Sequence, residues 1–246
     1  MNALSHYILL AFAALVASTL AAVSGFGGAA ILLPPLTLVY GIRLAVPILT
    51  VAQLIGNASR AFLNRKELDW RVVGWFALGG VPMALVGSIL FAHVPLRALT
   101  RLLGAFLILL VVLRHSAGAP RWKPPLRSFT LLGACFSLLS ALLGSVGPLM
   151  APFFLAYGLV KNAYIGTEAL ATVTMHVTKL VAYRQLALLP ARAVLTGLAL
   201  GPSMILGSYV GKFILHRLPV WLFVRIVDLT LVAAGFLFLF QRPHAG

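Results

Sequence analysis

Two stretches of the chain, about 119 residues apart, set a basic residue among hydrogen-bonding side chains inside apolar sequence. The first runs Gln53, Asn57, Ser59, Arg60, Asn64, Arg65; the second runs Thr172, His176, Thr178, Lys179, Tyr183, Arg184. Gln53, Asn57, Arg60 and Asn64 fall at i, i+4, i+7 and i+11, and Thr172, His176, Lys179 and Tyr183 repeat that spacing. Each set therefore lies along one face of a helix. A cation near hydrocarbon is costly, so a matched pair suggests a duplicated site that handles something negative. Such a site needs both charge and donors. Arg60 and Lys179 offer the charge; Gln53, Asn57, Ser59, Thr172, His176 and Thr178 offer the donors. The competing reading has the cations snorkelling from helix ends to lipid phosphates, with the neutral groups bonding between helices.

Two glycine-rich stretches add to the pattern. Ser24-Gly25-Phe26-Gly27-Gly28 and Gly144-Ser145-Val146-Gly147 each precede a short apolar segment, 28–41 and 147–158, that carries prolines and ends in Tyr-Gly. At 1.5 Å per residue such a segment spans only about 20 Å, too little to cross a bilayer alone. A helix broken within a membrane presents free N–H groups and a positive dipole end, a natural anion seat. Ser24, Gly25, Gly27, Gly28, Gly144, Ser145 and Gly147 are therefore candidate binding residues, although glycines also serve close helix packing. Two acids lie at membrane depth. Glu168 stands one turn before Thr172 and is a candidate proton carrier or counter-charge; Asp228 follows Arg225 at i+3 and reads as a local pair. His176 could relay protons or be a bonded interior residue. No metal-ligand spacing and no nucleotide-type phosphate loop is present, and no cofactor is expected.

The elements that must position these groups are membrane helices. Of 246 residues, 61% are hydrophobic and 9% charged, with a mean hydropathy of +1.04, whereas soluble domains carry about a quarter charged residues. Apolar runs near 5–24, 44–64, 72–92, 96–114, 128–143, 162–183, 191–215 and 219–240 predict helices. The fold class is an all-α polytopic membrane protein of about eight transmembrane helices. They form two four-helix repeats, each with a broken or re-entrant half-helix after its glycine-rich segment. Pro82, Gly87 and Ser88 recur as Pro202, Gly207 and Ser208, extending the repeat. Residues 1–115 and 126–246 form the two repeats, and 116–125 a basic, proline-rich linker.

The formal charge of +15 comes from 19 Lys and Arg against four acids. Positive-inside bias accounts for it, and no nucleic-acid partner is needed. Eight crossings place the basic loops at Arg65–Arg71, Arg114–Arg127 and Arg184–Arg192 on one side with both termini, which should be cytoplasmic. The lone Cys135 permits no internal disulfide. The first 24 residues lack a basic n-region and read as a retained helix.

The chain resembles the TauE/SafE family of sulfite exporters, also called the toluene sulfonate uptake permease family. The resemblance rests on Ser24-Gly25-Phe26-Gly27-Gly28 with its following prolines, on Phe62-Leu63-Asn64-Arg65-Lys66-Glu67-Leu68-Asp69-Trp70, and on Gly166-Thr167. Gly79-Gly80-Val81-Pro82 and Gly201-Pro202 add to it, and it spans about residues 8–240. It implies a bacterial inner-membrane transporter of duplicated four-helix units, moving sulfite, sulfonates or related organosulfur anions. Family members often carry small or neutral residues after the Gly-Thr pair, and Glu168 departs from that.

The expected function is secondary transport of a small anion, with a sulfur-containing substrate and proton coupling through Glu168 and His176 as the finer expectation. The partners are that anion and the bilayer, with self-association left open. The rivals are an anion channel or accessory exporter subunit, and a membrane enzyme using His176 and Glu168.

Overall fold

The computed structural model describes residues 3–116, 123–144 and 146–214, and positions 229, 232, 235, 236, 239 and 240. Among these, all regular structure is helical. α1 (Ala3–Ser24), α2 (Gly28–Tyr40), α3 (Ile42–Leu63), α4 (Trp70–His93) and α5 (Leu96–Ser116) form the first half, with a 3₁₀ turn at Arg65–Glu67. α6 (Ser128–Leu143), α7 (Gly147–Tyr157), α8 (Lys161–Gln185), α9 (Ala191–Ala199) and α10 (Gly201–Ile214) follow. The run at 219–240, with Arg225 and Asp228, lies largely outside the described residues, as does Ser145.

The protein is a multi-pass membrane protein. His6–Ser24, Ile42–Leu63, Trp70–His93 and Ala191–Phe213 are long and apolar enough to cross a membrane. α2, α6 and α7, of 13, 16 and 11 residues, are apolar but shorter. α8 has the length, 25 residues, but carries Lys161, Glu168, Lys179 and Arg184. The run expected over 191–215 divides at Leu200. Pro202, which has no N–H to close an i→i−4 bond, stands in the first turn of the second piece.

Local chemistry sets the boundaries. α1 stops at Gly25 and α6 at Gly144, both with positive φ (79° and 80°), a backbone region that glycine enters without steric cost. Asp69 starts α4 by accepting from the N–H groups of Arg71 and Val72 at 3.0 and 3.1 Å. After α1 the chain turns back on itself. A Cβ on Gly28 would meet Ala21 Cβ at 3.1 Å and the Ala17 carbonyl at 3.2 Å, so α2 starts beside the last turns of α1.

That return sets the helix directions. α1 and α3 run parallel, Gly56 lying near Ser18 and Arg60 reaching Ala21. α3 also parallels α9 and α10, since Val51 packs on Gly197, Gly56 on Met204, and Lys212 donates to the Leu63 carbonyl at 2.5 Å. α8 connects to α9 by a short loop and runs antiparallel to α3. Its start meets the α3–α4 loop, where Asn162 Nδ2 donates to Glu67 at 3.0 Å and the Asp69 N–H donates to Thr167 Oγ1 at 3.0 Å. This corrects the loop placement expected from eight crossings. The basic loops at Arg65–Arg71 and Arg184–Arg192 lie at opposite ends of the bundle, because α2 and α7 reverse the chain once in each half.

The halves interleave. α4 packs along α6, α10 along α1, and α3 against α8. At the first seam a Cβ on Gly79 would sit 2.0 Å from the Thr130 carbonyl, and one on Gly133 2.1 Å from that of Phe76. Only glycine permits that approach, the usual device for packing helices in lipid. At the second seam Ser18 donates to the Met204 carbonyl at 2.5 Å and lies 3.0 Å from Ser208 Oγ. Helix ends, glycine seams and the α3–α8 crossing together hold one central polar cluster.

Candidate functional site

The polar stripes of α3 and α8 face each other inside the bundle. Gln53, Asn57, Arg60, Glu168, Thr172 and His176 are all buried, as is Lys179 at 0% exposure. The snorkelling reading fails here, because both cations point inward. Arg60 Nη1 donates to the carbonyls of Ala21 (2.9 Å) and Gly25 (3.3 Å), and its Nη2 to Asn57 Oδ1. Lys179 Nζ donates to the carbonyl and the hydroxyl of Ser140 at 3.0 and 3.2 Å. Ala21 and Ser140 each stand four residues before the positive-φ glycine of their own break, and each also accepts from that glycine's N–H at 2.9 Å. Each cation thus closes the C-terminal end of a broken helix, where orphan carbonyls and the negative dipole end favour it.

The two breaks come together. α2 begins after Gly27 and α7 after Val146, and neither has a side-chain cap. A Cβ on Gly147 would lie 3.4 Å from Phe26 Cβ and 3.7 Å from the Gly27 nitrogen, so the two half-helix starts abut. They line a partly open cavity of about 30 Å³. Its polar wall includes Gly27, Gly28, Gln53, Asn57, Arg60, Ser140, Gly144, Gly147, Glu168, Thr172 and His176, and its apolar wall Phe26, Val146, Met150 and Met175.

Within this wall the bonding is incomplete. Glu168 lies 3.8 Å from Arg60 through Oε2, and its Oε1 accepts from Thr172 at 3.2 Å. Glu168 Oε2, Gln53 Nε2 and His176 Nδ1 are buried without a hydrogen-bond partner. Buried polar groups are almost always paired, so three unpaired atoms in one cluster mark a place where a ligand or water completes the set. No group of three His, Cys, Asp or Glu able to hold a metal occurs among the described residues.

The other candidates sit elsewhere. Ser59 bonds back to the Ile55 carbonyl at 2.9 Å and lines a surface groove with Phe62 and Tyr209. Thr178 bonds back to the Thr174 carbonyl at 2.9 Å. Both are off the stripe by one helix step and stand outside the cavity wall. The Ser24 hydroxyl lies 2.8 Å from both the Leu20 and the Phe26 carbonyls, donating to one or the other, and secures the first break without reaching the cavity. Gly25 forms its turn beneath Tyr164. Tyr164 and Ser140 were missing from the sequence expectation. Tyr164, 4% exposed, presses its ring on Gly25, where a Cβ would come within 2.2 Å, and leaves its hydroxyl unpaired. It lies four residues before Glu168, so extending the α8 stripe by one turn would have found it.

The family model for the sulfite exporter TauE/SafE matches residues 10–238. The chain belongs to that family. No individual curated protein and no solved structure matches the chain. Membership makes this a membrane transporter of the sulfite exporter family, with a small substrate and the lipid bilayer as its surroundings. The motif residues of the resemblance meet in space: Gly166 packs on Asn64 and Leu68, and Thr167 holds Asp69.

Proposed function

We propose that the protein is a secondary carrier of a small anion, sulfite, a sulfonate or a related organosulfur anion, bound where the two helix breaks meet. The observation that carries this reading is the pair of uncapped half-helix starts abutting over Arg60, with Gln53 Nε2 and His176 Nδ1 unpaired beside them. Two positive dipole ends, a guanidinium and the free Gln53 amide are what an anion needs in a buried cavity. The apolar wall suits the substituent of an organosulfur anion.

A cavity of about 30 Å³ holds roughly one water, so loading a larger anion requires its walls to part. That favours a carrier over an open channel. Discontinuous helices in corresponding positions of two halves supply the moving parts, and alternating access would come from relative motion of the halves around them. In anion counterflow with proteoliposomes, Gln53→Ala and His176→Ala should each reduce sulfite or sulfonate exchange about tenfold while the protein stays folded. Unchanged exchange in both variants would refute the site.

Glu168 is the group for proton coupling, with His176 as relay. Its half-bonded carboxylate on the cavity wall supports this. A Glu168→Gln variant should keep counterflow and lose accumulation driven by a pH gradient; gradient-driven accumulation at the wild-type level would refute the role. We also place the more basic end, with Arg65, Lys66, Arg71, Lys123, Arg127 and Lys212, in the cytoplasm of a bacterial inner membrane. The N-terminus would then lie on the opposite face, a reading supported by the parallel run of α1 and α3. Thiol labelling of a Lys66→Cys, Cys135→Ser variant from outside intact cells would overturn that orientation.

A further inference from the structure

Two grooves on the outside of the bundle share one design. The first, of about 550 Å³, is lined by Arg71, Gly74, Trp75 and Leu78 of α4, with Leu126 ahead of α6. The second, of about 430 Å³, is lined by Arg192, Leu195, Thr196 and Ala199 of α9, with Tyr7 of α1. The helical residues correspond one for one at a constant interval of about 121 residues. Tyr7 and Leu126 stand about 119 apart, the interval of the polar stripes. Arg71 and Arg192 are each the second residue of a span long and apolar enough to cross a membrane, Trp70–His93 and Ala191–Phe213. Those two starts lie at opposite ends of the bundle, so each arginine stands at headgroup level, one in each leaflet. From it the groove follows the i+3, i+4 and i+7 positions of one helix face about 10 Å toward the bilayer centre. Apart from the buried Thr196 that floor is apolar. Among the described residues the one salt bridge joins Arg60 to Glu168, so neither groove arginine is answered by an acid. Arg192 has the ring of Tyr40, 5.5 Å from its guanidinium.

We propose that each groove seats one phospholipid, its phosphate on the arginine and a fatty chain along the apolar floor. A cation at one end of about 10 Å of hydrocarbon-facing surface is complementary to that molecule in charge and in outline. Arginine is also the side chain best matched to a phosphate. The floors differ, Gly74, Trp75 and Leu78 against Leu195, Thr196 and Ala199. A flexible chain tolerates that difference, whereas a protein partner would need a separate complement in each leaflet. Each groove also straddles a seam between the halves. Leu126 leads into α6, which packs along α4, and Tyr7 belongs to α1, which packs along α10. The lipid therefore bridges the two halves at their outer rim.

Native mass spectrometry of the delipidated protein, titrated with phosphatidylglycerol, counts the bound lipids. The variants are Arg71→Gln, Arg192→Gln and the two combined; both side chains are exposed, so folding is spared. The wild type should retain two lipids more than the double variant, and each single variant one more. Each lost site should bind at least about tenfold more weakly. Arg65→Gln, which removes an exposed cation stacked on Phe62 outside both grooves, should keep the wild-type count. An equal count in wild type and double variant overturns the proposal. So does an equal loss in Arg65→Gln, the mark of unspecific charge attraction. Glycerophosphate, a headgroup without chains, should give no thermal protection where phosphatidylglycerol gives it. Equal protection by both would make the grooves sites for soluble phosphate and overturn the lipid reading, and a protein dimer that excludes the lipid would overturn it in favour of a second copy.

Discussion

The polar stripes of α3 and α8 perform one shared task and differ in another. Arg60 bonds to the Ala21 carbonyl and Lys179 to that of Ser140, at equivalent points of the two breaks. What differs is the neighbour. Arg60 has Glu168 at 3.8 Å, whereas the charged side chain that would answer Lys179 is replaced by Leu49, whose methyl lies 3.4 Å from the Cβ position of Gly144. The mechanical duty, closing the end of a broken helix, is common to both halves. The Arg60 end differs in having a buried carboxylate beside its cation. On the carrier reading proposed above, that divergence in charge is where selectivity would arise.

The largest effect should come from removing one cation and then the other. Arg60→Ala strands Glu168 in the interior and frees the Ala21 and Gly25 carbonyls, so it should cost about 3–5 kcal/mol, the usual penalty for breaking a buried pair from one side. Lys179→Met removes a charge with no carboxylate opposite it and two hydrogen bonds, about 1–3 kcal/mol. Chemical unfolding in mixed micelles measures both. The double variant Arg60→Ala, Glu168→Gln should recover part of the first loss. Equal costs for the two single variants would break the comparison, showing that Glu168 adds nothing to the Arg60 site.

The hinges offer a second contrast. Gly25 and Gly144 share the same backbone conformation, φ 79° and 80°, so alanine costs each about 1–2 kcal/mol of left-handed strain. Their surroundings differ. A methyl at Gly25 would lie 2.2–2.5 Å from the Tyr164 ring atoms, whereas the nearest neighbours of one at Gly144 are Leu33 and Leu49 methyls at 3.2–3.4 Å. Gly25→Ala should therefore lose a further 1–3 kcal/mol or so by overpacking. Adding Tyr164→Phe should not relieve it, since the ring itself is in the way; Tyr164→Ala should. A Gly144→Ala variant as unstable as Gly25→Ala would mean that the second break is as tightly roofed as the first.

How far the sequence carried this reading follows from which forces are local. Among the described residues helix extents agree to about two residues, except that 191–215 divides at Leu200, because glycine, proline and apolar run length act over a few residues. Most of the stripe was legible, since Gln53, Asn57, Arg60, Thr172 and His176 obey a helical period that any buried face must keep. Ser59 and Thr178 were drawn in by adjacency to the cations, although one residue along a helix turns about 100° away from them. Helix direction was not legible. It depended on whether a 13-residue apolar segment crosses or returns, and length alone does not decide that. Tyr164 is legible as an extension of the α8 stripe one turn before Glu168, but its contact with Gly25 is not, because the two are distant in sequence.

The smallest expected effect tests which face of each stripe matters. Ser59 and Thr178 occupy equivalent places beside Arg60 and Lys179, and each satisfies its hydroxyl on the carbonyl four residues back. That bond lies within one helix and touches neither the breaks nor the cavity wall. Ser59→Ala and Thr178→Ala should each change stability by no more than about 0.5 kcal/mol and leave counterflow within about twofold, since no donor of the cluster is lost. The pair matters because the two residues sit in opposite halves. A loss of exchange in both would move the pathway to the outer face of α3 and α8. A loss in Ser59→Ala alone would extend the site toward the groove shared with Phe62 and Tyr209, making the first half the more open side of the proposed pathway.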